Sequence, residues 1–319
     1  MHLKFLFVLF ISASVFAQDA AYQKAEAYFK AEKFALAKPI FSKYLDANPK
    51  HAKTREYLGD IAAYAKDWDT AITYYEPLVE EAPSSANYHF KYGGALGMKA
   101  LEISKLRALT YIDDIKEHFT RAAELDPKHI ETRWALVELY LQLPGIIGGS
   151  TKKAKAYAME LQDISPVDGY LARGYVAEQE GDMDEAETLY KKAIEVGGSP
   201  TTYEKLTNLY EKKNQPKKAI DNAASSLKLH KRNQINYQIG KIAAEFDMEP
   251  ELGLASLKQY IENHSVKDGV PVRWAHFRMA QIYRNKGDKA SATHYINLAL
   301  ADEPDFEQAL EEKKRIQEL

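Results

Sequence analysis

One interval recurs along this chain and limits what it can fold into. Small residues return at a nearly fixed spacing: Ala37 to Ala71 is 34 residues, Ala154 to Ala186 is 32, Ala186 to Ala219 is 33, and Ala219 to Gly253 is 34. The stretch 287–304, GDKASATHYINLALADEP, shows the unit most plainly. Gly287 marks a turn. Ala292, Ile296 and Ala299 fall on one face at helical spacing, and Pro304 ends the helix. Just before it, 274–286 places Phe277, Ala280 and Tyr283 on one face of another amphipathic helix. The unit is helix, tight turn, helix, proline. One such hairpin buries too little apolar surface to stand alone, so many copies must stack and share a core.

Read at this period, the chain divides into repeats at about 18–51, 52–85, 86–129, 130–166, 167–199, 200–233, 234–267 and 273–304, followed by a charged helix at 305–319 with Asp305 as its expected N-cap. The aromatic positions Phe41, Tyr75 and Tyr190 recur against the small ones at Ala37, Ala71, Ala186, Ala219 and Ala292. No run of β-branched residues alternates with period two, so no strand is expected.

A helical-hairpin repeat near 34 residues, with small, aromatic and proline positions in this order, resembles the tetratricopeptide repeat. The resemblance covers nearly all of the chain after residue 17 and is most specific in repeats two, five and eight. It implies an all-α fold: a right-handed α-solenoid of about eight helix-turn-helix repeats with a capping helix at the C-terminus. It also implies that the first helix of each pair lines a concave groove that holds a protein or peptide. On that basis the partner-binding residues are expected to be Phe90, Trp134, Glu138, Tyr175, Trp274 and Phe277, with Tyr22, Glu56, Leu171, Asn208 and Gln281 also facing inward. Some members grip a C-terminal carboxylate with a Lys and Asn pattern. Here the matching places in repeat two hold Glu56 and Asp60, so that ligand is not carried over.

The first residues, MHLKFLFVLFISASVFAQ, read as a secretory signal. A short basic start precedes an apolar run at 6–15, too short to span a bilayer. Val15 and Ala17 supply the small residues before a cut, which is expected between Ala17 and Gln18. The alternative is an uncleaved anchor. The expectation is an exported protein, periplasmic or secreted, with no membrane insertion after cleavage.

Composition removes several classes. There is no cysteine, which excludes disulfides, thiol catalysis and cysteine zinc sites. The net charge of −3 gives no bulk case for nucleic acid. The histidines are scattered without metal-ligand spacing, no nucleophile elbow occurs, and carboxylate runs such as 178–185 read as solvated helix faces. No enzyme, cofactor or metal is therefore expected.

Two places break the period. In 93–119, Leu101, Leu106, Leu109 and Ile112 continue a helical pattern past the regular turn, so one or both helices are expected to be lengthened, either as a protrusion or as extra packing. In 142–154, Pro144, Gly145, Gly148 and Gly149 break the helix, and Ser150 or Thr151 can cap the next. The spacing is not that of a phosphate loop. Ile146 and Ile147 are expected to tuck into the groove or a neighbouring repeat. A rival reading makes this loop and the long helix after Gly93 the pocket of a periplasmic small-ligand or transporter-associated solute binder.

Overall fold

A computed structural model describes residues 20–319; the expected signal segment at 1–17 and its cleavage point lie outside the described residues. All regular elements among the described residues are helical. The described residues divide into two compact units, 20–157 and 158–319. In the first lie α1 (described over 20–30), α2 (Phe34–Ala47), α3 (Ala52–Tyr64), α4 (Trp68–Glu81), α5 (Ala86–Glu102), short α6 (Lys105–Ala108), α7 (Ile112–Leu125) and α8 (Ile130–Gln142). The division falls inside α9 (Thr151–Ile164). The second holds α10 (Pro166–Glu180), α11 (Met183–Gly197), α12 (Pro200–Lys212), α13 (Pro216–His230), α14 (Asn233–Phe246), α15 (Pro250–Glu262), α16 (Val272–Asn285), α17 (Lys289–Asp302) and α18 (Glu307–Gln317).

The turn inside five of the hairpins follows from one backbone requirement. A residue in the left-handed region reverses the chain at Glu32, Lys66, Gly181, Asn214 and Gly287, with φ of 58° at Lys66, 87° at Gly181 and 73° at Gly287. Glycine takes this conformation without steric cost, whereas Lys66 carries about 1 kcal/mol. The next residue then caps the second helix: the carboxylates of Asp67, Asp182 and Asp288 accept from the backbone N–H of Thr70, Glu185 and Ser291 at 3.2, 3.0 and 3.0 Å.

Within a hairpin, the two helices touch where the first has no side chain. A Cβ on Gly59 would lie 2.4 Å from the Tyr75 ring, and one on Gly174 would lie 2.5 Å from that of Tyr190. The small residues Ala37, Ala71, Ala186, Ala219 and Ala292 are fully buried at the same crossings. Both of these tyrosines keep the hydroxyl satisfied: Tyr75 donates to Asp60 at 2.7 Å and Tyr190 to Glu178 at 2.8 Å. Burial beside those carboxylates pushes both phenols above their ordinary range.

Between hairpins, polar contacts recur at the repeat period. Lys91 reaches back 31 residues to Asp60, Lys241 reaches 30 to Glu211, and Lys286 reaches 35 to Glu251. A cation one repeat after a carboxylate thus falls beside it, as stacking of equivalent helices requires.

In the insertion one helix is lengthened, as expected: α5 runs to 17 residues, then the extended backbone at Ile103 ends it before α6 and a 3-10 turn at Leu109–Tyr111. Two expectations change. Ile146 does not tuck away; it is 96 % exposed. Phe306, not Asp305, occupies the N-cap place of α18, and Glu312 is turned inward, 1 % exposed and bonded to Arg284. Ser150 does cap α9, accepting from Lys153 N–H at 3.3 Å.

Candidate functional site

In the first unit, α3 and α5 bring a polar cluster together on equivalent faces. The Lys91 ammonium lies 2.6 Å from Glu56 and 2.7 Å from Asp60. Glu56 also accepts from Lys53 at 3.0 Å and from Asn87 at 3.0 Å. Burial works to raise the Glu56 carboxyl, but the bonds from Lys91 and Lys53 outweigh it and hold the group below its ordinary value. These carboxylates are already neutralised, so they order α3 against α5 instead of offering free charge.

In the second unit, α12 and α14 flank a cleft of 440 Å³, whose floor is formed by Ala223 and Ser226 of α13. Tyr203 and Tyr237 give it aromatic walls, and Asn208, Gln234 and Gln238 give it side-chain amides. The Gln238 amide donates to Asn208 at 3.2 Å. Thr207 is fixed from below by Asn222, which donates to its hydroxyl at 2.8 Å. Glu204 and Arg232 line the cleft and are exposed, so opposite charges stand within one opening. Lys241 also lines it and is held by Glu211 at 2.7 Å. An amide side chain both donates and accepts, which matches the alternating N–H and C=O of an extended main chain. Tyrosine adds an apolar face with little entropy to lose.

The residues expected to bind a partner are placed as follows. Phe90 is half-buried on α5, its ring 5.0 Å from that of His129. On α8, Trp134 is half-buried, and Glu138, one turn on, is exposed. Tyr175 is half-buried on α10, with the Lys205 ammonium 5.6 Å from its ring. Trp274 and Phe277 do meet, at 5.7 Å between rings, but Phe277 is 5 % exposed and sits in a core cluster with Phe306 of the α17–α18 connection. It is a packing residue, because the terminal helix covers the face that a further repeat would otherwise meet. Leu171 and Glu56 are likewise buried. Asn208 alone among the inward residues named from the sequence lines the cleft; Tyr203, Arg232, Gln234, Tyr237, Gln238 and Lys241 carry no motif that separates them from other polar helix residues. Two histidines that look scattered in sequence also meet: His89 and His118 lie 2.8 Å apart through their Nδ1 atoms. Among the described residues no group of three or more metal-ligating side chains forms.

Tetratricopeptide repeat family models match residues 22–86, and 167–196 with 275–306. No curated protein matches the sequence. A crystal structure of a tetratricopeptide repeat protein from Parabacteroides merdae is similar over 94 % of this chain and 98 % of that one, at 12 % identity and a TM-score of 0.53, which shows the shared fold. The Cut9–Hcn1 structure, from an APC/C hetero-tetramer, is similar over 93 % of this chain and 55 % of that one, with 17 % identity and a TM-score of 0.49. YrrB, whose structure is described as having an unusual peptide-binding site, covers 61 % of this chain and 97 % of its own, with 20 % identity and a TM-score of 0.44.

Proposed function

We propose that this chain, which matches tetratricopeptide repeat models over residues 22–86, 167–196 and 275–306, is a non-enzymatic scaffold that holds an extended protein or peptide segment on the faces of its first helices. The observation that carries this reading is the 440 Å³ cleft between α12 and α14. It combines the amides of Asn208, Gln234 and Gln238 with the rings of Tyr203 and Tyr237. These groups orient a main chain and cover its side chains without activating any bond. The small-ligand reading has less support. It needs an apolar pocket at the 142–150 loop, and Ile146 there faces water.

We place the protein outside the cytoplasm on the sequence of residues 1–17 alone. Amino-terminal sequencing of the protein recovered from cells should begin at Gln18.

The groove is tested at exposed positions, where substitution spares the core. Arg232→Glu with Gln234→Lys should leave the melting temperature unchanged and abolish retention of the protein's partner from envelope extract. Glu195→Lys, exposed on α11, should retain it. Equal retention by all three proteins rejects the cleft as the binding site.

A further inference from the structure

Large apolar side chains are exposed on two segments of the first unit. Leu101 is 68 % exposed, Leu106 79 %, Leu109 44 % and Ile146 96 %. Scattered exposed leucines are ordinary, but a group on adjoining segments marks a contact surface. The two segments adjoin at the N-terminal end of α7. The 3-10 turn Leu109–Tyr111 runs directly into α7, and Lys116, one turn inside it, donates to the Ile147 carbonyl at 2.8 Å.

The exposure of Ile146 is built in. Gly149 N–H bonds to the Pro144 carbonyl at 3.0 Å, and Ser150 N–H bonds to that of Tyr140 at 2.9 Å. A Cβ on Gly149 would stand 1.7 Å from the Leu143 carbonyl oxygen, so the loop closes only with glycine there. A loop tied at these points holds an isoleucine in water instead of letting it fold back.

The surrounding charge indicates what covers the patch. Residues 99–117 and 144–155 carry seven Lys or Arg and four Asp or Glu, on a chain whose net charge is −3. Lys99 is held by Asp69 and Lys116 lies 3.7 Å from Asp113. Lys105, Arg107 and Lys152 are exposed and make no ion pair among the described residues. Asp113 and Asp114 follow on the first turn of α7. The apolar groups stand on protruding segments, and a protein partner would need a matching hollow for each. A lipid surface needs none, and anionic headgroups match the basic flank.

We propose that this part of the first unit docks on an anionic lipid surface. Leu106, Leu109 and Ile146 enter the headgroup layer, while Lys105, Arg107 and Lys152 meet the phosphates. This is surface attachment: among the described residues no helix is long and apolar enough to cross a membrane. It does not depend on the cleft of the second unit.

The purified full-length protein is sedimented with vesicles of phosphatidylcholine alone or with phosphatidylglycerol added. Binding should be about tenfold tighter to the anionic vesicles and weaken at high salt. Ile146→Glu and Leu106→Glu should each lower it about tenfold or more, and Lys105→Gln about fivefold. All three variants should melt like the parent, because the replaced side chains face water. Equal binding to both vesicle types, or unchanged binding by the glutamate variants, overturns the proposal. So does an Ile146-dependent dimer in sedimentation velocity without vesicle binding, which assigns the patch to a second copy of the chain.

Discussion

Replacing Lys91 by methionine tests how the charges between repeats hold the stack. Its ammonium is shared by Glu56 at 2.6 Å and Asp60 at 2.7 Å, and the Glu56 side chain is only 8 % exposed. Removing one partner of a buried pair costs about 3–5 kcal/mol, because the other charge is left desolvated. The cost here should fall lower, near 2–3 kcal/mol. Lys53 and Asn87 still bond Glu56, Tyr75 still donates to Asp60, and the Lys91 side chain is 21 % exposed. Urea denaturation with a common slope reads the loss. The pH dependence separates this cause from lost packing. In the parent, the Glu56 carboxyl is held below its ordinary value of 4.5, so its contribution is full above that pH and fades as pH falls through the folded value. Without Lys91, the hydrogen bond and charge that most oppose burial are gone, so the folded value of Glu56 moves up. The variant should then lose less stability than the parent as pH falls through the carboxylate range. Adding Glu56→Gln and Asp60→Asn should restore most of the loss. A loss under about 0.5 kcal/mol, or a parallel pH profile in parent and variant, refutes the reasoning.

Other perturbations follow from particular contacts. Phe277→Ala should destabilise by about 3–5 kcal/mol in thermal or urea unfolding, since its ring packs with Trp274 and Phe306 in a closed core. Gly149→Ala should disrupt the 144–150 loop, because its Cβ would meet the Leu143 carbonyl oxygen at 1.7 Å; limited proteolysis should cut there faster than in the parent. Burial and the neighbouring His89 hold His118 below its ordinary value of 6.5, so the folded state resists a proton that the unfolded chain accepts. Stability should therefore decline as pH falls through about 6.5, and His118→Gln should flatten that decline in a series of melts.

The fold was legible because its causes are local or strictly periodic. A glycine at 59 or 174 and a tyrosine sixteen positions later are one contact written twice, with the tyrosine filling the space that the glycine leaves. The turn glycines at 181 and 287 answer a backbone conformation that is visible in sequence. The candidate site was less legible. Repeat position marks Asn208 as inward, but the cleft exists only where α12, α13 and α14 converge, and amides such as Gln234 and Gln238 look like any solvated helix residue. Phe277 occupies a first-helix position that faces inward in the repeat, yet Phe306 from the following connection covers it; repeat position alone does not report that neighbour. Ile146 failed for a related reason. Pro144 and the glycines foretold a tight loop, but not the direction in which it aims its apolar side chain.

The central claim is that a partner lies against the first-helix faces. A photoreactive amino acid placed at Glu204 or Gln234 in the cleft, and at Glu195 on α11, measures it in living cells. A partner seated there should give a discrete adduct from the two cleft positions and none from α11. Adducts from α11 alone, or equal adducts from all three, would contradict it.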